Sequence, residues 1–136
     1  MNTPRARARA VAKVTVQSSE ATPYDQTASP ALFEIRLSET FSGNIDGVSP
    51  VRALEIRHDD GSASLISLQR FRGKLHGRVG TFVLQGQEDT ANGQIKGTWF
   101  VVPGSGTGDL CGLRGEGGFE GHFGKGSDAT LDYWFE

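Results

Sequence analysis

The chain holds a single cysteine, Cys111, among 136 residues. It therefore builds no disulfide of its own and no cysteine-based metal site, and residence in the cytoplasm is the expectation. A lone cysteine in a glycine-rich strand reads as a small buried hydrophobe. A catalytic thiolate wants a base beside it, and none stands in register with Cys111. The three histidines, His58, His76 and His122, fall in separate segments and form neither H-x-H nor H-x-x-x-H, so no metal is expected. Long apolar runs are missing. The stretch Trp99, Phe100, Val101, Val102 is cut at Pro103, far short of the roughly 20 residues of a membrane span. No segment of a dozen residues keeps a helical apolar period.

Basic charge is scarce outside the start of the chain. Of 14 basic side chains, Arg5, Arg7, Arg9 and Lys13 lie in the first 14 residues with no acid among them, leaving ten against all 16 acids in the remainder. An acidic body lacks the basic face that nucleic acid requires, so no nucleic-acid partner is expected. The Arg-Ala repeat lacks the apolar core of a secretory signal and reads as a disordered, solvated tail over residues 1–10. Residues 11–136 then form one domain, long enough for a core of its own.

Glycine is abundant, with 19 residues, many of them in residues 97–121 (GTWFVVPGSGTGDLCGLRGEGGFEG). The block opens on a strand expected to pack on both faces, turns through alternate glycines, and continues as a second extended piece over 110–119. Glycine within a strand marks bends, bulges or close backbone approach, the features a sheet needs to curl into a barrel. Nucleotide loops do not fit. Gly124-Lys125 is followed by Gly126 rather than Ser or Thr, and Gly104-x-Gly106 reaches Asp109 where a third glycine belongs. No cofactor is expected, and Gly104-Ser105-Gly106 is in the wrong frame for a nucleophile elbow.

Read in order, residues 11–17 make a first strand that ends in the polar cluster beginning at Ser18. Residues 32–41 alternate most cleanly, with Phe33, Ile35, Leu37 and Phe41 on one face and Glu39 as that face's one polar break. Strands follow over 51–58 and 62–72, joined by the Asp60-Gly61 turn, the second placing Leu65, Ser67, Gln69 and Phe71 on one face. Residues 81–85, 95–102 and 130–135 complete the set, with 89–93 as a turn. About eight short strands and glycine turns predict an all-β fold, an eight-stranded antiparallel β-barrel, whose interior holds side chains or one small ligand.

Several of these segments resemble a family. RFRGKLHGRVGTFVLQ, the 97–121 block, the turn ETFSGNIDG and the closing TLDYWFE are similar to an uncharacterised bacterial domain-of-unknown-function family with an allene-oxide-cyclase-like β-barrel. The resemblance spans residues 12–136. The wider group holds allene oxide cyclases, dirigent proteins and, more loosely, polyketide spirocyclases. The pattern of Trp99, Pro103 and Gly106 is similar to those spirocyclases, where the tryptophan lines the substrate cavity. A tryptophan common in the family after the first strand is Ser19 here.

Two functional readings follow. In the first, the barrel is a cofactor-independent cyclase or isomerase for a small hydrophobic, polyketide- or oxylipin-like molecule. Glu39, Gln69 and Tyr133 would be the catalytic groups, with Phe33, Ile35, Leu37, Trp99 and His58 binding substrate. Glu39 leads because a carboxyl on an apolar face is desolvated and its pKa rises toward neutrality. In the second, the barrel is a lipocalin-like protein that only sequesters an apolar ligand. Separately, strands apolar on both faces, such as Ile66 and Leu68 opposite Leu65 and Phe71, predict a homodimer, unless residues 18–30 or the N-terminal segment cover the outer face.

Overall fold

Strict alternation of apolar and polar residues decides which way each strand faces, and the computed structural model, which describes residues 6–136, follows that alternation around a closed ring. The strands are β1 (Ala8–Asp25), β2 (Ala31–Gly43), β3 (Ile45–Arg57), β4 (Ala63–Leu75), β5 (Arg78–Ala91), β6 (Gln94–Val101), β7 (Leu113–His122) and β8 (Ser127–Phe135). Each pairs antiparallel with the next in sequence, and β8 returns to β1, giving a closed eight-stranded barrel. The only helical element among the described residues is one 3-10 turn, Gly108–Leu110.

β1 differs most from its expected form. It begins at Ala8, inside the segment read as a tail; Met1 to Arg5 lie outside the described residues. Arg7 and Arg9 are held by carboxylates, Arg7 by Glu116 at 2.9 Å and Arg9 by Asp132 at 2.7 Å. The strand also runs past Ser18 to Asp25. Its register slips by one residue between Val16 and Ser18, so Val14 and Val16 point inward before the bulge, and Ser19 and Ala21 point inward after it. Such a bulge reverses the parity of everything beyond it.

The two ends of the barrel are built differently. At one end Phe41, Phe71, Phe82, Trp99, Leu75, Leu113 and Leu131 fill the interior. Phe71 and Phe82 stack at 4.9 Å between ring centroids, and Phe41 meets Phe71 edge-on at 5.4 Å. The long β6–β7 loop plugs this end by seating Leu110, which is fully buried. It is stapled to β5: Ser105 Oγ accepts from Val83 N at 3.0 Å and donates to Val102 O at 2.6 Å, and Thr107 N donates to Thr81 O at 2.9 Å. At this same end His76 and Gly77 both take positive φ (45° and 81°) in the tight β4–β5 turn, the geometry of a type I′ hairpin. Cys111, in the plug, is exposed rather than buried. It sits on a turn leaving the 3-10 segment, not in a strand.

The apolar run at the end of β6 packs on one face only. Trp99 and Val101 point inward at 4% and 1% exposure, while Phe100 points out at 42%. Phe100 joins Leu54, Ile66 and Leu68 on an uncovered outer face. Residues 18–25, considered as its cover, pair instead with β2 at the barrel's mouth.

Candidate functional site

Beyond the packed half the barrel is hollow. A cavity of about 670 Å³ opens at the end formed by the β3–β4 and β7–β8 turns. Val16, Ile35, Leu37, Leu65, Ile95 and Phe119 make its apolar wall, and His58 and His122 stand at its mouth. The polar groups that line it include Glu39 on β2, Gln69 and Ser67 on β4, Glu88 on β5, and Glu55 with Arg57 on β3.

Glu39 occupies the inward phase of β2 between Leu37 and Phe41, as its spacing predicts. Among the described residues its carboxyl has no hydrogen-bond partner and no ion pair. Burial pushes its pKa from the ordinary carboxyl value up to about 7, with the Glu88 carboxylate adding to the shift. A carboxyl held there exchanges protons near neutral pH, the condition that suits a general acid or base.

Glu88 is a site residue that the sequence pattern does not single out, since it falls between the strand expected over 81–85 and the turn expected over 89–93. It is 5% exposed. Ser67 Oγ donates a short hydrogen bond to its Oε1, while its buried Oε2 has no partner among the described residues. Burial raises its pKa, the Ser67 bond opposes that, and Asp89 reinforces it. Two glycines make the niche for this side chain. A Cβ on Gly97 would lie 2.8 Å from Glu88 Cγ and 2.7 Å from the Phe119 ring, and one on Gly86 would lie 2.7 Å from Glu88 Oε1. The signal was present: Glu88 lies in phase, at period two, with inward Phe82 and Leu84.

Gln69 is buried beside Ser49, the residue paired with Glu39 across β2 and β3. Ser49 Oγ donates to Gln69 Oε1 at 2.7 Å. The hydroxyl orients the amide, so a buried carbonyl oxygen that would otherwise cost 1–3 kcal/mol is satisfied.

The structure brings Glu39, Gln69, Ile35, Leu37 and His58 to one cavity, and leaves the other three expected residues outside it. Tyr133 is in the packed half, its hydroxyl bonded to His76 Nδ1, and burial raises its pKa against the influence of Arg78. Strand β8 runs from the mouth, where Ser127 lines the cavity, into the plugged end, so its fourth inward residue, Tyr133, has already passed the hollow. Trp99 lies one layer behind the wall, stacked on Phe119 at 5.0 Å with Nε1 donating to Thr130 O at 3.2 Å. Phe33 lies under the Arg57 guanidinium at 3.8 Å, and that guanidinium also bonds Glu55. Among the described residues no three His, Cys, Asp or Glu cluster to hold a metal, and no helix is long and apolar enough to cross a membrane.

A wider depression of about 1130 Å³ crosses the outside of the barrel over Leu54, Ile66, Leu68 and Phe100. It is larger but shallower, and the buried titratable groups face the lumen instead. The lumen is therefore the candidate site.

A family model described as a protein of unknown function, DUF3224, matches residues 10–135. The chain belongs to that family. A DUF3224 protein of unknown function from Shewanella oneidensis MR-1 has a crystal structure similar to this one, with a TM-score of 0.76 and 28% identity over 96% of this chain and 98% of that one. Both chains thus share one DUF3224 barrel from end to end. Among curated proteins none matches the chain.

Proposed function

We propose that the lumen binds a small, largely apolar molecule and that Glu39 moves a proton on it, making the protein a cofactor-independent isomerase or cyclase. The observation that carries this reading is the Glu39 carboxyl, which faces a 670 Å³ cavity with a pKa raised to about 7. Proton transfer by a positioned group of matched pKa contributes on the order of 10²–10⁴ in rate. The apolar wall would fold a flexible substrate into a reactive shape, a contribution worth several kcal/mol where the geometry is good. Gln69 would orient a substrate carbonyl through its amide. Tyr133, outside the cavity, has no part in this scheme. The sequence resemblance to a family with an allene-oxide-cyclase-like barrel supports such chemistry by analogy of fold only.

The second reading is a lipocalin-like carrier, favoured by the apolar wall of the cavity. One experiment separates the two. The protein is incubated in deuterated buffer with small apolar ketones, 2-tetralone among them, and exchange at the α-carbon is followed by NMR alongside binding. Catalysis predicts accelerated exchange that Glu39→Gln lowers about 100-fold while binding persists. Binding without exchange supports the carrier, and no binding of any such molecule overturns the lumen as the site.

A further inference from the structure

The lumen contains two carboxyl groups at its inner end, and among the described residues no cation meets them. Glu88 is the decisive one. It is 5% exposed, it lines the cavity, and its Oε2 has no hydrogen-bond partner among the described residues. A buried polar atom left unpaired in this way is uncommon in folded proteins and calls for an occupant or a proton. Ser67 cannot serve twice, since its hydroxyl is already committed to Oε1. The niche cannot close on itself either, because Gly86 and Gly97 supply no side chains there.

The other charged and titratable groups facing the cavity are accounted for. Among the described residues Arg57 is the one guanidinium lining the lumen, and it is held by Glu55 and stacked on Phe33. His58 and His122 stand at the mouth rather than beside the pair. Asp89, next to Glu88, adds further negative charge and is turned to Ser64, whose hydroxyl donates to it at 2.9 Å. Glu39 and Glu88 therefore form an acidic site whose counter-charge the described residues do not provide.

We infer that the ligand of this barrel carries a cationic nitrogen, a protonated amine or amidine on an apolar body, and that Glu88 with Glu39 receives it at the inner end of the lumen. The inference rests on the reading of the lumen as a small-molecule site and names the class of molecule that reading leaves open. A primary ammonium presents three donors, enough to satisfy Glu88 Oε2 and reach Glu39 together. Charge-assisted hydrogen bonds of this kind are about twice as strong as neutral ones. The apolar remainder would lie against Leu37, Leu65 and Phe119. Without ligand, burial raises the pKa of both carboxyls, and the Glu88 carboxylate helps push Glu39 to about 7. A cation reverses that balance, so its arrival must drive protons out. Glu39 is then left ionised beside the substrate, the state a general base requires.

The test compares three probes of one size on the full chain: n-hexylamine, 1-hexanol and hexanoate, by titration calorimetry at pH 7 in two buffers of different ionisation enthalpy. The amine is expected to bind at least about tenfold more tightly than the alcohol, about 1.4 kcal/mol. It should also release a measurable fraction of a proton, which the alcohol does not. Glu88→Gln keeps an acceptor for Ser67 and should abolish the preference and the proton release while leaving hexanol binding intact. Glu39→Gln is the second variant and should weaken both. Equal binding of amine and alcohol, tighter binding of hexanoate, or a preference that survives both substitutions overturns the inference while leaving the lumen as a site. Failure of all three probes to bind overturns the lumen reading and this inference with it.

Discussion

A carboxyl that keeps its proton on folding makes the protein less stable as pH rises, the reverse of the usual surface aspartate. Glu39 ionises near 4.5 when the chain is unfolded and at about 7 when it is folded. Between those values the native state binds more protons than the unfolded state, so stability declines as pH increases through this window. The full penalty is present above pH 7 and absent below about 4.5. It is on the order of 3 kcal/mol at 1.36 kcal/mol per pKa unit, before allowance for water reaching the cavity. Glu39→Gln should thus be more stable than the parent by about 1–3 kcal/mol at pH 8, with the gain vanishing near pH 4.5. Urea unfolding of both proteins across this range measures it, and a gain independent of pH would show that Glu39 is not the titrating group. Glu39 was legible because it interrupts a strictly alternating face. Glu88 was not, because Gln87, Glu88 and Asp89 together look like a polar turn. Only their phase with Phe82 and Leu84 marks the middle one as inward.

At the scale of the element, alternation predicted β2 and β4 well, since each keeps one parity from end to end. β1 escaped for two reasons. Its bulge after Val16 reverses the inward phase, and beyond it the strand stands clear of the packed half and needs few apolar residues. The β6–β7 plug escaped because its stability comes from hydrogen bonds to β5, which no periodicity records. Ser105 is its pivot, accepting from one backbone amide and donating to one carbonyl. Ser105→Ala leaves the Val83 amide in a part-buried place without that partner, at a cost of about 1–3 kcal/mol. The loss should appear as a lower urea midpoint with an unchanged slope and faster hydrogen exchange at Val83. If Val83 stays fully protected, the plug is held by its apolar residues instead.

The whole molecule has one feature that its own chain leaves unfinished. Leu54, Ile66, Leu68 and Phe100 make an exposed outer patch, with Arg52 at the β3 side and Glu116 and Asp132 at the β7–β8 side. We propose that a second copy of the chain covers it. A two-fold contact through this face would bury the apolar centre of both copies. Sedimentation at micromolar concentration should find a species of twice 14.6 kDa, and Leu68→Asp, at an outward position 55% exposed, should return it to the monomer with the barrel intact. A single 14.6 kDa species in the parent protein would refute the dimer. The barrel was legible from strand number and glycine turns. That it is filled at one end and hollow at the other was not, because both halves use the same alternation and differ only in side-chain volume.

The overhang of β1 has a further consequence. From Thr15 to Asp25 the strand has β2 on one side and, among the described residues, no strand on the other, because its pairing with β8 stops at Val14. An unpaired strand edge invites a foreign chain to add itself, the first step of β-aggregation. Here the edge is poorly made for that purpose. Pro23 removes one amide donor, Glu20 adds charge, and register slips on either side of Ser18 to Pro23 break the spacing that an incoming strand would have to match. The irregularities that obscured β1 in the sequence are thus also its defence against polymerisation.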